Sequence, residues 1–133
     1  MIYKKINSQF FFSDRKKCQD FNEIIKKIPK NSSIIFREYD LSNQKREEMA
    51  RKIRSICKFK NQILIGKDLD LALKLKVDGV HFSDFDKLPI KILDRKKFPK
   101  KFIFTLACHN ILSVIKAQKL KPDLIFISPI FKS

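Results

Sequence analysis

Six short apolar runs alternate with stretches of helical pattern along the chain, and this alternation constrains the fold more than any other feature. The runs carry apolar residues at consecutive positions, which is typical of strands that are covered on both faces. Between them, apolar residues such as Phe21, Ile24 and Ile28 recur at helical spacing. Buried strands that alternate with helices predict a parallel sheet covered by helices. The predicted strands span residues 10–12, 34–36, 63–65, 79–82, 102–106 and 124–127.

Helices are predicted in the stretches between these strands. Ser42 and Asp68 each precede an apolar stretch of helical period, and serine and aspartate are preferred residues at helix N-termini. Asp68 also follows the end of a predicted strand, so the sequence leaves open whether it caps the helix or binds a ligand. The predicted helices span about residues 18–28, 42–58, 68–75 and 110–120, with a weaker one at 89–97.

Two architectures fit this order of elements, namely an open doubly wound sheet and part of a (β/α) barrel. No glycine-rich loop follows the first strand, so a Rossmann or P-loop phosphate site is disfavoured. Polar residues instead follow the ends of several strands. A barrel assembles its active site from the carboxyl ends of its strands, and the pattern therefore favours the barrel. These strand-end residues include Asp14, Arg37, Asp68, Asp86, His109 and Ser128.

The composition limits the cellular setting and the class of partner. Of 133 residues, 30 are Lys or Arg and 14 are Asp or Glu, which gives a net charge of +16. Only 6 of the cationic residues are arginine, the residue that reads phosphates and bases bidentately, so a specific nucleic-acid role is not expected. No apolar run approaches the ~18 residues of a membrane span, and no signal peptide is evident. We expect a cytoplasmic protein without a membrane partner, with its cysteines reduced.

Four segments of the chain resemble the thiamine-phosphate synthase and TenI-type family, in family order and at family spacing. The most specific are Asp-Gly-Val-His at residues 78–81 and Ser-Pro-Ile-Phe at residues 128–131. The other two are Ile-Ile-Phe-Arg-Glu at residues 34–38 and Leu-Ile-Gly-Lys-Asp at residues 64–68. The resemblance implies a (β/α)8 TIM barrel, α/β in class, with about six of the eight βα units in this chain. It predicts a single domain over residues 1–133 that is short at its carboxyl end.

The same resemblance implies a transferase of thiamine biosynthesis. The family's synthases join a pyrimidine methyl diphosphate to a thiazole phosphate, release diphosphate and use Mg2+. The expected partners are therefore phosphorylated pyrimidine and thiazole small molecules. Matched to the family motifs, Arg37, Lys67 and Ser128 are the expected substrate-binding residues, and Asp68 and Asp86 are expected to hold Mg2+. Lys67 is expected either to contact diphosphate or to neutralise Asp68.

The sequence departs from the family pattern at several of these positions. Tyr39 stands where the family has a lysine, Lys67 where it has an asparagine, and Ala107 where it has a phosphate-contacting serine. The glycine-rich loops of the seventh and eighth strands have no counterpart in the 133 residues. Three interpretations stay open: a fragment, a homo-oligomer that covers open sheet edges, and a catalytically inactive paralogue that binds a phosphorylated ligand.

His109 supports an alternative activity. In the TenI-type branch a histidine in this segment acts as acid and base in a thiazole tautomerase, and His109 matches that segment by position. Imidazole suits a proton shuttle because its pKa lies near neutrality. His81 lies within a predicted strand, and there we expect a hydrogen-bonded core histidine instead.

Overall fold

The computed structural model describes residues 4–17, 20–57, 60–84 and 86–127, which fold into alternating strands and helices. The strands are β1 (Gln9–Phe12), β2 (Ser32–Phe36), β3 (Gln62–Gly66), β4 (Gly79–Ser83), β5 (Ile103–Cys108) and β6 (Leu124–Ile127). The α-helices are α1 (Phe21–Lys27), α2 (Asn43–Cys57), α3 (Leu69–Leu75) and α4 (Ile111–Lys119). The predicted strands and the four main predicted helices are confirmed, with small shifts at their ends.

The weaker helix predicted at residues 89–97 is not an α-helix. Two 3-10 helices, Ile90–Leu93 and Arg95–Lys97, occupy the segment. Asp94 between them has φ −105° and ψ 71°, outside helical geometry. Pro99 follows closely, and the residue before a proline is driven to extended backbone, as Phe98 is with ψ 157°. The stretch is therefore too short and too interrupted for a continuous helix.

The described strands form one sheet in sequence order, and every adjacent pair is parallel. A doubly wound sheet reverses its strand order at a switch point, and the described sheet has no such reversal. Right-handed crossovers that all step in one direction curl the sheet. The curl brings β1 and β6 near each other, since the rings of Phe10 and Phe126 contact with centroids 4.9 Å apart. The prediction of a barrel-type architecture is confirmed as a curled half-barrel.

Alternate residues of each strand face opposite sides of the sheet, and each side has its own apolar cluster. The larger cluster lies between the sheet and the helices and includes Ile65 of β3 and Ile53 of α2. The smaller cluster lies on the inner face of the curl. Its members are Ile35, Leu64 and Ile103, with Phe10, Phe12 and Phe126 packed against them.

The cap predicted at Ser42 is confirmed, and the structure adds a cap at Asn110. The Ser42 hydroxyl accepts the backbone N–H of Lys45, and the Asn110 side chain accepts that of Ser113. These caps fix where the chain leaves each strand and enters the next helix. Among the described residues, no helix is both long and apolar enough to cross a membrane.

Candidate functional site

A cavity of about 760 Å³ opens at the carboxyl ends of the strands, on the inner side of the curl. The strands and the segments that follow them all contribute to its wall. Its lining residues are Phe12, Arg37, Tyr39, Lys67, His81, Ser83, Asp86, Ala107, His109, Phe126 and Ile127. The structure thus brings together four of the site residues predicted from the sequence: Arg37, Lys67, Asp86 and His109.

The floor of the cavity is a cluster of three rings. Phe12, His81 and Phe126 meet edge to face, with centroids 5.4 to 5.7 Å apart. His81 is only 4% exposed, and its Nδ1 lies 2.8 Å from the Thr105 hydroxyl. Burial lowers the pKa of His81 to about 4, so the ring is neutral near pH 7. The interpretation of His81 as a hydrogen-bonded core histidine is confirmed.

Arg37 leaves the end of β2 as an exposed side chain, with its guanidinium carbon 5.0 Å from the centre of the Phe12 ring. Its backbone N–H donates to the Ser13 hydroxyl at 2.8 Å, and that hydroxyl donates to the buried Glu38 carboxylate at 2.6 Å. Glu38 also accepts the backbone N–H of Arg15. This network ties the end of β1 to the end of β2 and positions the backbone of Arg37.

Lys67 follows β3 in the left-handed backbone region, with φ 64°, which is uncommon for a residue with a Cβ. Its Nζ lies 3.3 Å from Oδ1 of Asp86 and 4.4 Å from the centre of the Tyr39 ring. The other oxygen of Asp86 accepts the backbone N–H of Ser83 at 2.7 Å. Lys67 therefore pairs with Asp86 and not, as one expectation held, with its chain neighbour Asp68.

Tyr39 lies over Gly66, the last residue of β3. A Cβ added to Gly66 would stand 2.3 Å from the Tyr39 hydroxyl oxygen, so glycine leaves the space that the phenol ring occupies. Burial, with a smaller contribution from the negative charge of Asp86, raises the pKa of Tyr39 to about 12. The phenol consequently keeps its proton near neutral pH and offers a neutral ring face to Lys67.

Asp68 is placed outside the cavity wall. One of its oxygens caps α3 by accepting the backbone N–H of Leu71 at 2.9 Å, which confirms its role as a helix cap. The other lies 3.4 Å from Nη1 of Arg46, whose Nη2 donates to the carbonyl oxygen of Gly66 at 2.9 Å. Arg46 is 7% exposed, and its Nε is buried without a hydrogen-bond partner in the described part of the chain.

The described side chains do not fit Mg2+ in the way the family motifs would place it. Mg2+ usually keeps several waters and binds through one or two carboxylates and phosphate oxygens. In Asp68 and Asp86, however, one oxygen accepts a backbone N–H and the other faces Arg46 or Lys67, respectively. No group of three or more His, Cys, Asp or Glu side chains in the described residues is arranged to hold a metal ion.

His109 lines the cavity and is held by Asp84. Its Nδ1 lies 2.7 Å from one Asp84 oxygen, and its backbone N–H donates to the other at 2.8 Å. Burial opposes the charge on Asp84, but hydrogen bonds from Ser113 and His109 outweigh it and keep the pKa of this carboxyl below its ordinary value. A carboxylate on Nδ1 fixes the tautomer and makes Nε2 the acceptor of the neutral ring.

Sequence reasoning named no role for Glu38, Asp84 or Arg46. The sequence does contain an indication of a site role for the first two. Glu38 lies within a family-like segment, and Asp84 lies two residues before Asp86. The burial of Arg46 is also indicated by the sequence, since this residue shares the helical spacing of the buried residues Ala50 and Ile53 on α2. Ser128, the remaining predicted substrate-binding residue, lies outside the described residues.

The Asp84–His109 pair can be tested by a double-mutant cycle with Asp84→Asn and His109→Gln. We expect a coupling free energy of about 1 kcal/mol between the two changes, because they remove one shared hydrogen bond. Urea unfolding of the four proteins at neutral pH measures it. Effects that add within about 0.3 kcal/mol would show that the pair does not form in solution.

The chain matches known proteins over most of its length. A family model described as thiamine monophosphate synthase matches residues 9–133. A putative thiamine-phosphate synthase 2 of Aquifex aeolicus is 32% identical over 128 residues, which cover 93% of this chain and 67% of that protein. The thiamine-phosphate synthase of Oceanobacillus iheyensis is 28% identical over 136 residues, covering 96% of this chain and 64% of that protein.

A solved structure has the same fold. Thiamine phosphate pyrophosphorylase from Pyrococcus furiosus superposes with a TM-score of 0.74 at 17% identity, over 92% of this chain and 60% of that one. The chain thus spans about 60 to 67% of the length of these three proteins. Because the family match extends over residues 9–133, the chain belongs to the thiamine monophosphate synthase family.

Proposed function

We propose that the cavity binds the phosphorylated precursors of thiamine phosphate and that the protein joins them with release of diphosphate. One observation carries this proposal: Arg37 and Lys67, at the ends of adjacent strands, line the same cavity above an aromatic floor. A site for a ring that bears a diphosphate needs an apolar surface for the ring and cations for the phosphates. Both relatives described above are named as thiamine-phosphate synthases, which favours the synthase over the tautomerase.

The reaction breaks the bond between the pyrimidine methylene carbon and a diphosphate oxygen, and the electron pair leaves with diphosphate. The lone pair of the thiazole ring nitrogen forms the new bond to that carbon, which leaves the positive charge on the thiazolium product. Negative charge accumulates on the leaving diphosphate, so cations placed beforehand at that position stabilise the transition state more than the ground state. Arg37 can supply two parallel N–H donors and Lys67 a compact charge.

The aromatic floor binds and orients the ring. Phe12 and Phe126 offer apolar ring surface, and His81 adds a neutral imidazole between them because its pKa is about 4. Neutral rings can pack against a pyrimidine through offset or edge-to-face contacts without placing a charge against it. The floor would thereby hold the reacting carbon near the cationic rim of the cavity.

His109 is the proposed proton-handling group of the cavity. Asp84 holds the imidazole through Nδ1 and so fixes the orientation of the ring in the cavity wall. The same geometry would serve a tautomerase, which needs an acid and base at this position. The Asp84–His109 pair is therefore compatible with both activities.

The family is generally Mg2+-dependent, but Asp68 and Asp86 do not fit the ion as the family motifs would place it. Asp86 is the carboxylate of the proposed metal pair that lines the cavity, whereas Asp68 caps α3 outside it. Lys67 contacts Asp86, and Lys67 and Arg37 would supply the positive charge beside the diphosphate.

The test is an assay of thiamine phosphate and diphosphate formation from the two precursors, with and without added Mg2+. We expect product from the unaltered chain, and a kcat/KM about 100-fold lower for Arg37→Ala because one cation is lost from the leaving group. Arg37→Lys should retain more activity than Arg37→Ala, since it keeps the charge but not the paired donors.

Arg51→Ala is the matched control for this assay. Arg51 lies on α2, pairs with Glu47 and does not line the cavity, so its removal should leave the rate unchanged. If the unaltered chain forms no more product than Arg37→Ala, catalysis by this chain through the proposed site is refuted.

A further inference from the structure

We propose that Lys67 is a built-in cation of this cavity, so that a phosphate or diphosphate group binds there without a divalent metal ion. The inference rests on the proposed function, in that the cavity is taken to bind a phosphorylated ligand. It concerns a different question, which is where the positive charge for that ligand comes from.

The first observation is how Lys67 is held. Nζ lies between Oδ1 of Asp86, at 3.3 Å, and the face of the Tyr39 ring, at 4.4 Å from its centre. The backbone N–H of Lys67 donates to the carbonyl oxygen of His81 at 2.8 Å, which fastens the residue to the middle of β4. A side chain held at its backbone and on two sides of its head group loses less freedom when an anion binds.

The second observation is the difference in exposure between the two charges. The Asp86 side chain is 10% exposed, whereas that of Lys67 is 47% exposed. The carboxylate therefore lies largely covered, and the ammonium remains accessible to a ligand. A Lys ammonium has three N–H donors, so one can face Asp86 while others face a phosphate oxygen.

The third observation is that both carboxylate oxygens of Asp86 already have partners, which disfavours replacement of Lys67 by a metal ion. Its Oδ2 already accepts a backbone N–H, and its Oδ1 faces Lys67. A divalent ion bound to this carboxylate would lie close to the ammonium, and two like charges at contact distance repel strongly in a partly buried site. A divalent ion and the Lys67 ammonium therefore compete for the same place beside Asp86. In the folded chain the ammonium lies there.

The sequence differences at the site are consistent with a relocated charge. By the resemblance given in the sequence analysis, Tyr39 stands at a lysine position of the family pattern and Lys67 at an asparagine position. The two replacements contact each other through the ring face of Tyr39. On that matching, a cation is lost at the end of β2 and gained at the end of β3, beside Asp86.

The probe is inorganic diphosphate, measured by isothermal titration calorimetry at about 150 mM salt with either EDTA or Mg2+ present. For the unaltered chain we expect a Kd that differs less than about threefold between EDTA and Mg2+. For Lys67→Asn, which restores the family's residue, we expect binding in EDTA to weaken about tenfold or more and Mg2+ to recover part of it. Lys67→Arg should bind in EDTA nearly as the unaltered chain does.

Lys119→Met is the matched control, because Lys119 is an exposed residue of α4 that does not line the cavity. It should leave binding unchanged, which separates a defined site from general attraction of diphosphate to a chain of charge +16. Circular dichroism melts of each variant check that it is folded. If Lys67→Asn does not fold, the metal dependence of the unaltered chain and of Lys67→Arg still decides the question.

The outcomes separate this inference from the proposed function. Binding by the unaltered chain only in Mg2+ would overturn the inference and leave the proposed function standing. Equal binding in EDTA by the unaltered chain and a folded Lys67→Asn variant would also overturn it. Absence of diphosphate binding in both conditions would overturn the proposed function as well.

Discussion

Gly79→Ala is expected to destabilise the protein by at least about 3 kcal/mol, because β4 approaches β5 too closely for a side chain at this position. An added Cβ would stand 2.1 Å from the carbonyl oxygen of Ile103 and 2.9 Å from its carbonyl carbon. Both atoms belong to the backbone of a neighbouring strand, so relief of the clash would require the two strands to separate. Urea or thermal unfolding of the two proteins measures the loss.

Gly66→Ala provides the comparison, since it places the same methyl group on the neighbouring strand β3. Its shortest contact, 2.3 Å, is with the Tyr39 hydroxyl at the end of a side chain, and the nearest backbone atom is the Phe36 oxygen at 2.9 Å. Rotation of Tyr39 can relieve most of that conflict, so the stability loss should be clearly smaller than for Gly79→Ala. Equal stability of Gly79→Ala and the unaltered chain would contradict the close approach of β4 and β5.

Acidification is expected to weaken the fold through His81. Burial lowers the pKa of His81 from 6.5 to about 4, so the unfolded chain binds a proton at a pH where the folded chain does not. The stability contributed by the neutral ring is full above pH 6.5 and is lost progressively as the pH falls from 6.5 towards about 4. The shift corresponds to a loss of about 3 kcal/mol over that window.

Urea unfolding of the unaltered chain and of His81→Gln, at a series of pH values, isolates this contribution. Glutamine does not titrate but can still hydrogen-bond to Thr105, which now bonds Nδ1 of His81. The difference in unfolding free energy between the two proteins should therefore shrink as the pH falls. Parallel stability curves across the window would show that His81 is not buried as a neutral ring.

The sequence predicted most of the fold because local pattern and long-range packing agree in this chain. Apolar residues at consecutive positions favour strands buried on both faces, and the structure places Ile34 and Ile35 on opposite sides of β2, both fully buried. The stretch at residues 89–97 was the exception. There the apolar spacing suggested a helix, but the backbone restriction before Pro99 and the break at Asp94 prevailed.

Much of the candidate site was also accessible from the sequence, through strand ends and the family resemblance. Arg37, Lys67, Asp86 and His109 were named from their positions, and the structure gathers them around one cavity. The positions of these residues in the sequence do not show which charged groups pair with each other. The sequence left open whether Asp68 is a helix cap or a metal ligand. In the structure it caps α3, because its carboxylate lies within reach of the first turn.

The sequence by itself determined the order of strands and helices, the parallel sheet and the family, because these depend on apolar periodicity and on motifs that are local in the chain. The tertiary structure decided the partners of the charged groups: Lys67 with Asp86, Asp68 with Arg46, and His109 with Asp84. Those pairs join different strands and helices, and their distances depend on the curl of the sheet and on the backbone at single residues. A sequence pattern contains neither quantity, which is why the electrostatic character of the site follows only from the folded chain.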